Sequence, residues 1–214
     1  MAGDLNSFIE TLGREALTQI QLKKLQAMLV PILETNPFYR QKLGEAGVTQ
    51  PEDVRTLEDY RQLPFTTKDE LSADGKAHPP YGTNLTFPRE RYIRIHQTSG
   101  TTGEPLRCLD TEESWDWWAR CWETVYNAAG VTSSDRIFFA FSFGPFIGFW
   151  SAHEGARRIG ALSVPGGGMT SLQRLRVICS NDISTLICTP TYALHLAEVA
   201  EVEGIDIANA NVPA

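Results

Sequence analysis

The sequence predicts an α/β fold with an N-terminal helical segment, a β-hairpin carrying a candidate phosphate loop, and βαβ units that form a parallel sheet. Three observations lead there. Residues 5–35 space their apolar side chains as helices do, and a run of only Ser, Thr and Gly near residue 100 is flanked by period-two segments. From Asp135 onward, short apolar runs alternate with amphipathic ones. The chain divides at this level into a helical segment with a long loop, 1–90, and a hairpin with a sheet, 91–214, both read as parts of one large domain.

The first helices follow from Leu5, Phe8, Ile9 and Leu12, then Leu17, Ile20, Leu25, Met28, Leu29, Ile32 and Leu33, with a break near Gly13. Pro31 is expected to kink the second helix. Asn36-Pro37 should end it, because a residue before proline avoids the α region. Thr67 and Glu70 have the spacing of a capping box. Residues 72–90, with Pro79, Pro80, Gly82 and Pro88, read as a long irregular loop.

Tyr92–His96 and Leu106–Leu109 alternate as strands and enclose Thr98-Ser99-Gly100-Thr101-Thr102-Gly103, closed by Glu104-Pro105. Glycine permits a close backbone approach, successive N–H groups can line an anion-sized hollow, and the hydroxyls add donors. The same residues are ordinary turn formers. An uninterrupted run of six favours phosphate binding over a plain turn.

Asp110 and Glu113 suggest the next cap, and Trp115, Trp118, Trp122 and Tyr126 follow on one helical face, expected to be core or interface. Gly130 ends that helix. Strands are expected at 137–141, 161–164 and 185–188, with helices around 149–159, 172–179 and 192–202. In such alternation, ligand contacts lie on the loops after the strands' carboxyl ends.

Several chemistries are excluded or weakened. With 214 residues, 42% hydrophobic and 21% charged, the chain has the composition of a globular protein. Its net charge of −7 and the absence of a Lys/Arg stripe argue against nucleic acid. The apolar run 137–150 is shorter than the ~20 residues of a membrane span and holds Gly144, Pro145 and Gly148. The first residues do not read as a signal peptide, and the four cysteines form no Cys-x-x-Cys pair, so reduced thiols in the cytoplasm are expected. No Gly-Lys-Ser/Thr follows the loop, which removes the Walker pattern. Gly166-Gly167-Gly168 lacks the third Rossmann glycine and suits a tight turn beside a substrate pocket. Arg157 occupies the second histidine position of a zincin motif after His153-Glu154, and no metal-ligand spacing is found.

The segment Thr98–Pro105 resembles the phosphate loop of the adenylate-forming superfamily of acyl-CoA synthetases. Asn36–Arg40, Leu63–Leu71, Arg94–His96, Glu154–Ala161 and Thr189–Leu194 resemble, in order, its phenylacetate–CoA ligase-like branch, so the likeness runs from about Val30 to Ile205. The resemblance implies ATP, Mg²⁺ and coenzyme A as cofactors, with ATP phosphates held at Thr98, Ser99, Gly100, Thr101, Thr102 and Gly103. It further implies a small aromatic carboxylic acid in a pocket at Phe141, Phe143 and Phe146, with Gly167, Gly168 and Pro190 on neighbouring loops. The phenylalanines read equally well as core.

Many superfamily members carry a lysine after the loop's proline, where this sequence has Leu106. Arg94, Arg107 and Lys68 are the candidate replacements. The adenine motif, the ribose-binding aspartate and the adenylating lysine are not found. The sequence is therefore read as the amino-terminal portion of a larger ligase, inactive alone, whose partner is the remaining half; a homodimer is also allowed. The competing readings are a non-catalytic nucleotide-binding or assembly module and an adenylation domain that loads a carrier-protein thiol.

Overall fold

The computed structural model describes residues 9, 11–98 and 105–207. The chain forms two compact units, Met1–Leu109 and Asp110–Ala214.

In the first unit, α1 (Arg14–Thr35) starts at Gly13 and runs through Pro31, while α2 (Pro37–Glu45) starts at Asn36. Asn36 ends one helix and caps the next: its Oδ1 accepts from Tyr39 N at 3.0 Å. The same side chain, 1% exposed, donates to Asn84 O at 2.8 Å and Thr86 Oγ1 at 3.0 Å. Leu29 and Leu33 of α1 pack with Leu43, Val48 and Val54 into this unit's core.

A 3₁₀ turn (Pro51–Asp53) and the short α3 (Leu57–Arg61) follow, in a region that the sequence pattern left unassigned. The capping box at Thr67 and Glu70 forms and opens α4 (Lys68–Ala77). The expected irregular loop at 72–90 is thus a helix as far as Ala77, and a second 3₁₀ turn occupies Arg89–Arg91. The prolines and glycines that suggested a loop begin to act only at Pro79. There Gly82, at φ +77°, donates to His78 O at 2.8 Å and folds Thr83 onto the Asp74 carboxylate. Strands β1 (Tyr92–Gln97) and β2 (Arg107–Thr111) pair as the two strands of the hairpin.

The second unit opens with α5 (Glu112–Ala128). Its cap is Thr111, which accepts from Ser114 N at 3.2 Å, and not Asp110 or Glu113. Asp110 instead accepts from the Ser114 hydroxyl at 2.9 Å, one step before the helix. The expected aromatic face also divides: Trp115 and Tyr126 are buried, but Trp118 is 40% exposed.

Strand β3 (Arg136–Phe139) lies between β4 (Leu162–Pro165) and β5 (Thr185–Ile187), both parallel to it. Ile137, Phe138 and Phe139 are fully buried, as a central parallel strand demands. Their period-two alternation supplies two cores. Ile137 and Phe139 pack with Tyr126 of α5 and with Ala152 and Ala156 of α6 (Ile147–Ile159). Phe138 packs with Leu175 and Ile178 of α7 (Ser171–Ser180), and with Leu196 and Ala200 of α8 (Pro190–Glu203). Helix pairs therefore serve opposite faces of one sheet.

Candidate functional site

The candidate residues fall in both units and are taken separately. Of the phosphate-loop residues, Ser99, Gly100, Thr101, Thr102 and Gly103 lie outside the described residues. Thr98 is described at the loop's root, where its N–H donates to Leu106 O at 3.0 Å and its hydroxyl accepts from Leu106 N at 3.0 Å. This reciprocal pair closes the hairpin immediately before the hydroxyl-rich run.

Beside that root is a hollow of about 260 Å³ whose described lining includes Gly75, Lys76, Pro80, Tyr81, Leu106 and Arg107. Arg107 donates from Nη1 to Pro80 O at 2.9 Å. Of the three cations considered from the sequence, Arg107 is thus the one that lines a cavity at the loop's base. Lys68 occupies the first turn of α4, and Arg94 lies within β1. Lys76, in the last turn of α4, and Tyr81, in the bend that follows, line this hollow with no local sequence pattern to mark them.

In the second unit, β3, β4 and β5 end together, and the loops beyond them carry the candidate acid-pocket residues. Phe141 is buried and stacks on Phe149 with ring centroids 3.7 Å apart. Phe143 is half-buried, 5.5 Å from Phe141, 4.7 Å from Trp150 and edge-on to His153 at 5.7 Å. Trp150 donates its indole N–H to Gly144 O at 2.9 Å and so holds that loop. Gly167 borders the same group: a methyl there would lie 3.7 Å from Phe141 O and from the Phe143 ring.

These three residues, Phe141, Phe143 and Gly167, are brought together. Phe146 is not part of their ring cluster among the described residues; it precedes α6 and is 44% exposed. Gly168, at φ +76°, and Pro190, in the first turn of α8, are exposed.

Gly166 has a packing reason of its own. A Cβ there would come within 2.6 Å of the Phe138 ring and 2.7 Å of Phe139 O. Burial against Phe139 and Phe143 holds the His153 pKa below its ordinary value; Glu154 opposes that shift and Arg157 adds to it.

Sequence reasoning missed Arg174, a buried guanidinium that donates to Gly166 O and Ala140 O, each at 3.0 Å. Its only sequence signal was an Arg in the first turn of an amphipathic helix. Among the described residues no cluster of His, Cys, Asp or Glu is arranged to hold a metal ion, and no helix is long and apolar enough to cross a membrane.

No protein-family model matches the chain. It is 34% identical over 198 residues to a phenylacetate-coenzyme A ligase of Pseudomonas putida, covering 92% of this chain and 44% of that protein. A phenylacetate-coenzyme A ligase of Escherichia coli K12 is 36% identical over 193 residues, covering 90% of this chain and 43% of the relative. The chain thus spans less than half the length of these relatives.

Among solved structures, 2-hydroxyisobutyryl-CoA ligase superposes with a TM-score of 0.88 at 30% identity, in a complex with 2-HIB-AMP and CoA. The match covers 94% of this chain and 43% of that one. An open conformation of the same ligase gives 0.87 at 29% identity, covering 94% and 47%. In sequence and in fold, the chain is a relative of the phenylacetate–CoA ligase-like branch of the adenylate-forming superfamily, and it matches the amino-terminal portion of those enzymes.

Proposed function

We propose that this chain supplies the amino-terminal part of an AMP-forming acid–CoA ligase acting on an aryl or arylacetic acid. The observation that carries the reading is the 34–36% identity to phenylacetate-coenzyme A ligases across nine-tenths of the chain. The relatives extend well beyond the shared stretch. The complete reaction is therefore proposed for a protein that joins this sequence to a counterpart of that remainder.

In the first step a substrate carboxylate oxygen attacks the α-phosphorus of ATP, the bond to the bridging oxygen breaks, and pyrophosphate leaves. In the second the coenzyme A sulfur attacks the acyl carbon, AMP leaves, and the thiol proton is released. Both partners of the first step are poorly reactive, so orientation and charge neutralisation must supply the rate. Thr98, Ser99, Gly100, Thr101, Thr102 and Gly103 are assigned to the β- and γ-phosphates, and Arg107 at the loop's root is the cation offered in place of a post-loop lysine. Mg²⁺ would be carried on the ATP phosphates, whose charge it shares.

Phe141, Phe143 and the turn at Gly167 and Gly168 are assigned to the acid's ring, with Phe146 and Pro190 at the edge of that pocket. Stacked and edge-on rings favour an aryl group over a short aliphatic chain. Four free cysteines accord with a reducing, cytoplasmic setting.

Calorimetric titration of ATP–Mg²⁺ into this chain tests the loop: weak binding is expected, and Thr101→Ala/Thr102→Ala should abolish it. Binding unchanged by the double substitution rules the loop out. In the complete enzyme, pyrophosphate release should be faster with phenylacetate-like acids than with acetate, and thioester should form only when coenzyme A is present. A preference for acetate removes the aryl pocket.

A further inference from the structure

Arg174 is a buried charge that the proposed chemistry does not use. It lies on α7, is 7% exposed, and forms no ion pair with a carboxylate among the described residues. Taking a charge out of water costs several kcal/mol unless its donors are met. Here two nitrogens are met by backbone and one face by a ring: Nε donates to Gly166 O, Nη1 donates to Ala140 O, and the guanidinium carbon sits 5.0 Å from the centre of the Tyr192 ring. The Tyr192 hydroxyl is in turn 3.0 Å from Ser171 Oγ, at the start of α7.

The two carbonyls are special positions. Ala140 N still donates to Ile187 O at 3.0 Å and Gly166 N to Phe139 O at 2.9 Å, so these are the last rungs joining β3 to β5 and β4 to β3. Beyond them the ladder stops, and a carbonyl at a sheet's end needs another donor. Arg174 provides it for both strands at once. The next residue after Ala140 is Phe141, and the next after Gly166 is Gly167. Tyr192 lies two residues beyond Pro190.

We propose that Arg174 is the positioning residue of the acid pocket. One guanidinium fork sets the points from which the Phe141–Phe146 loop and the Gly167–Gly168 turn depart, and its stacking on Tyr192 fixes the start of α8 against both. Lysine cannot replace it fully, because a single ammonium lacks the planar fork and the stacking face. This inference rests on the acid-ligase reading for the identity of the ligand, though not for the tie between the loops.

Two measurements separate those parts. In hydrogen–deuterium exchange on the 214-residue chain, Arg174→Met should speed exchange at 141–144 and 167–170 and leave α1 and α2 unchanged; Arg174→Lys should fall between the two. Exchange that is unchanged at both loops, or raised across the whole second unit, overturns the proposal.

In the complete enzyme, Arg174→Met should raise KM for the acid about tenfold, leave KM for ATP within about twofold, and be partly rescued by Arg174→Lys. Equal losses for acid and ATP would mean general damage and would also overturn it. If the unsubstituted complete enzyme releases no pyrophosphate with any acid, the ligase reading fails, and the exchange result alone then decides whether Arg174 positions the loops.

Discussion

The indole N–H of Trp122 donates to the Ser151 hydroxyl at 2.9 Å, and Ser151 passes the contact on to Gly148 O at 3.1 Å. This pair is possible because α5 and α6 approach closely at Gly155. There a Cβ would lie 2.4 Å from Trp122 Cβ and 3.3 Å from the Tyr126 ring. Arg158 reinforces the crossing from α6, donating to Glu123 at 2.7 Å and Asp116 at 2.6 Å on α5.

Gly155→Ala should therefore destabilise the second unit, even though alanine is the better helix former. Overpacking costs about 1–3 kcal/mol against a propensity gain of about 1 kcal/mol. Gly148→Ala is the matched control: nothing lies within 4 Å of its added methyl. Thermal unfolding should show Gly155→Ala lowered by about 2–6 °C and Gly148→Ala unchanged or slightly raised.

Asn36→Ala should cost more than Thr67→Ala. Both remove a helix cap, worth about 1 kcal/mol. Asn36 also leaves Asn84 O and Thr86 Oγ1 without its two donors in a buried place, which adds about 1–3 kcal/mol. Urea unfolding followed through the first unit should rank them in that order; equal midpoints would contradict the buried latch.

Stability should fall as the medium is acidified below the ordinary histidine pKa of 6.5. Burial depresses His153 in the folded state, so the unfolded chain binds that proton first. The contribution is complete above 6.5 and declines as pH drops toward the lower folded value.

Asp135, lowered mainly by the Ser184 hydroxyl, and Glu70, lowered to about 2 mainly by its hydrogen bond with Lys42, lose their contributions only nearer pH 4 and below. The Tm of the unsubstituted chain should drop by about 1–3 °C more than that of His153→Phe between pH 7.5 and 5.5. Parallel curves would remove His153 as the cause.

Phe143→Ala, in the complete enzyme, should lower kcat/KM for an aryl acid by about tenfold or more and change that for a short aliphatic acid little. The ring it removes stands between Phe141 and Trp150. A uniform loss across acids would assign Phe143 to packing alone.

Features that depend on near neighbours are legible in the local pattern of the chain. The Thr67–Glu70 box and the stop at Asn36-Pro37 follow from residues a few positions apart, which meet as soon as the local backbone forms, and the apolar run Ile137–Phe139 reads as a strand from its own pattern. The hydroxyl-rich run Thr98–Gly103 was legible as composition, although of its residues only Thr98 is described.

Other features are set by residues far apart in the chain. Helical spacing placed Trp115 and Trp118 on one face, yet only α5's packing buries the first and exposes the second. Arg174 acquires its meaning from a carbonyl 34 residues away, at the end of a strand that becomes central only when β4 and β5 close on either side. A side chain's periodicity reports which way it faces; which backbone group waits for it there is set by long-range pairing, and no local pattern encodes that.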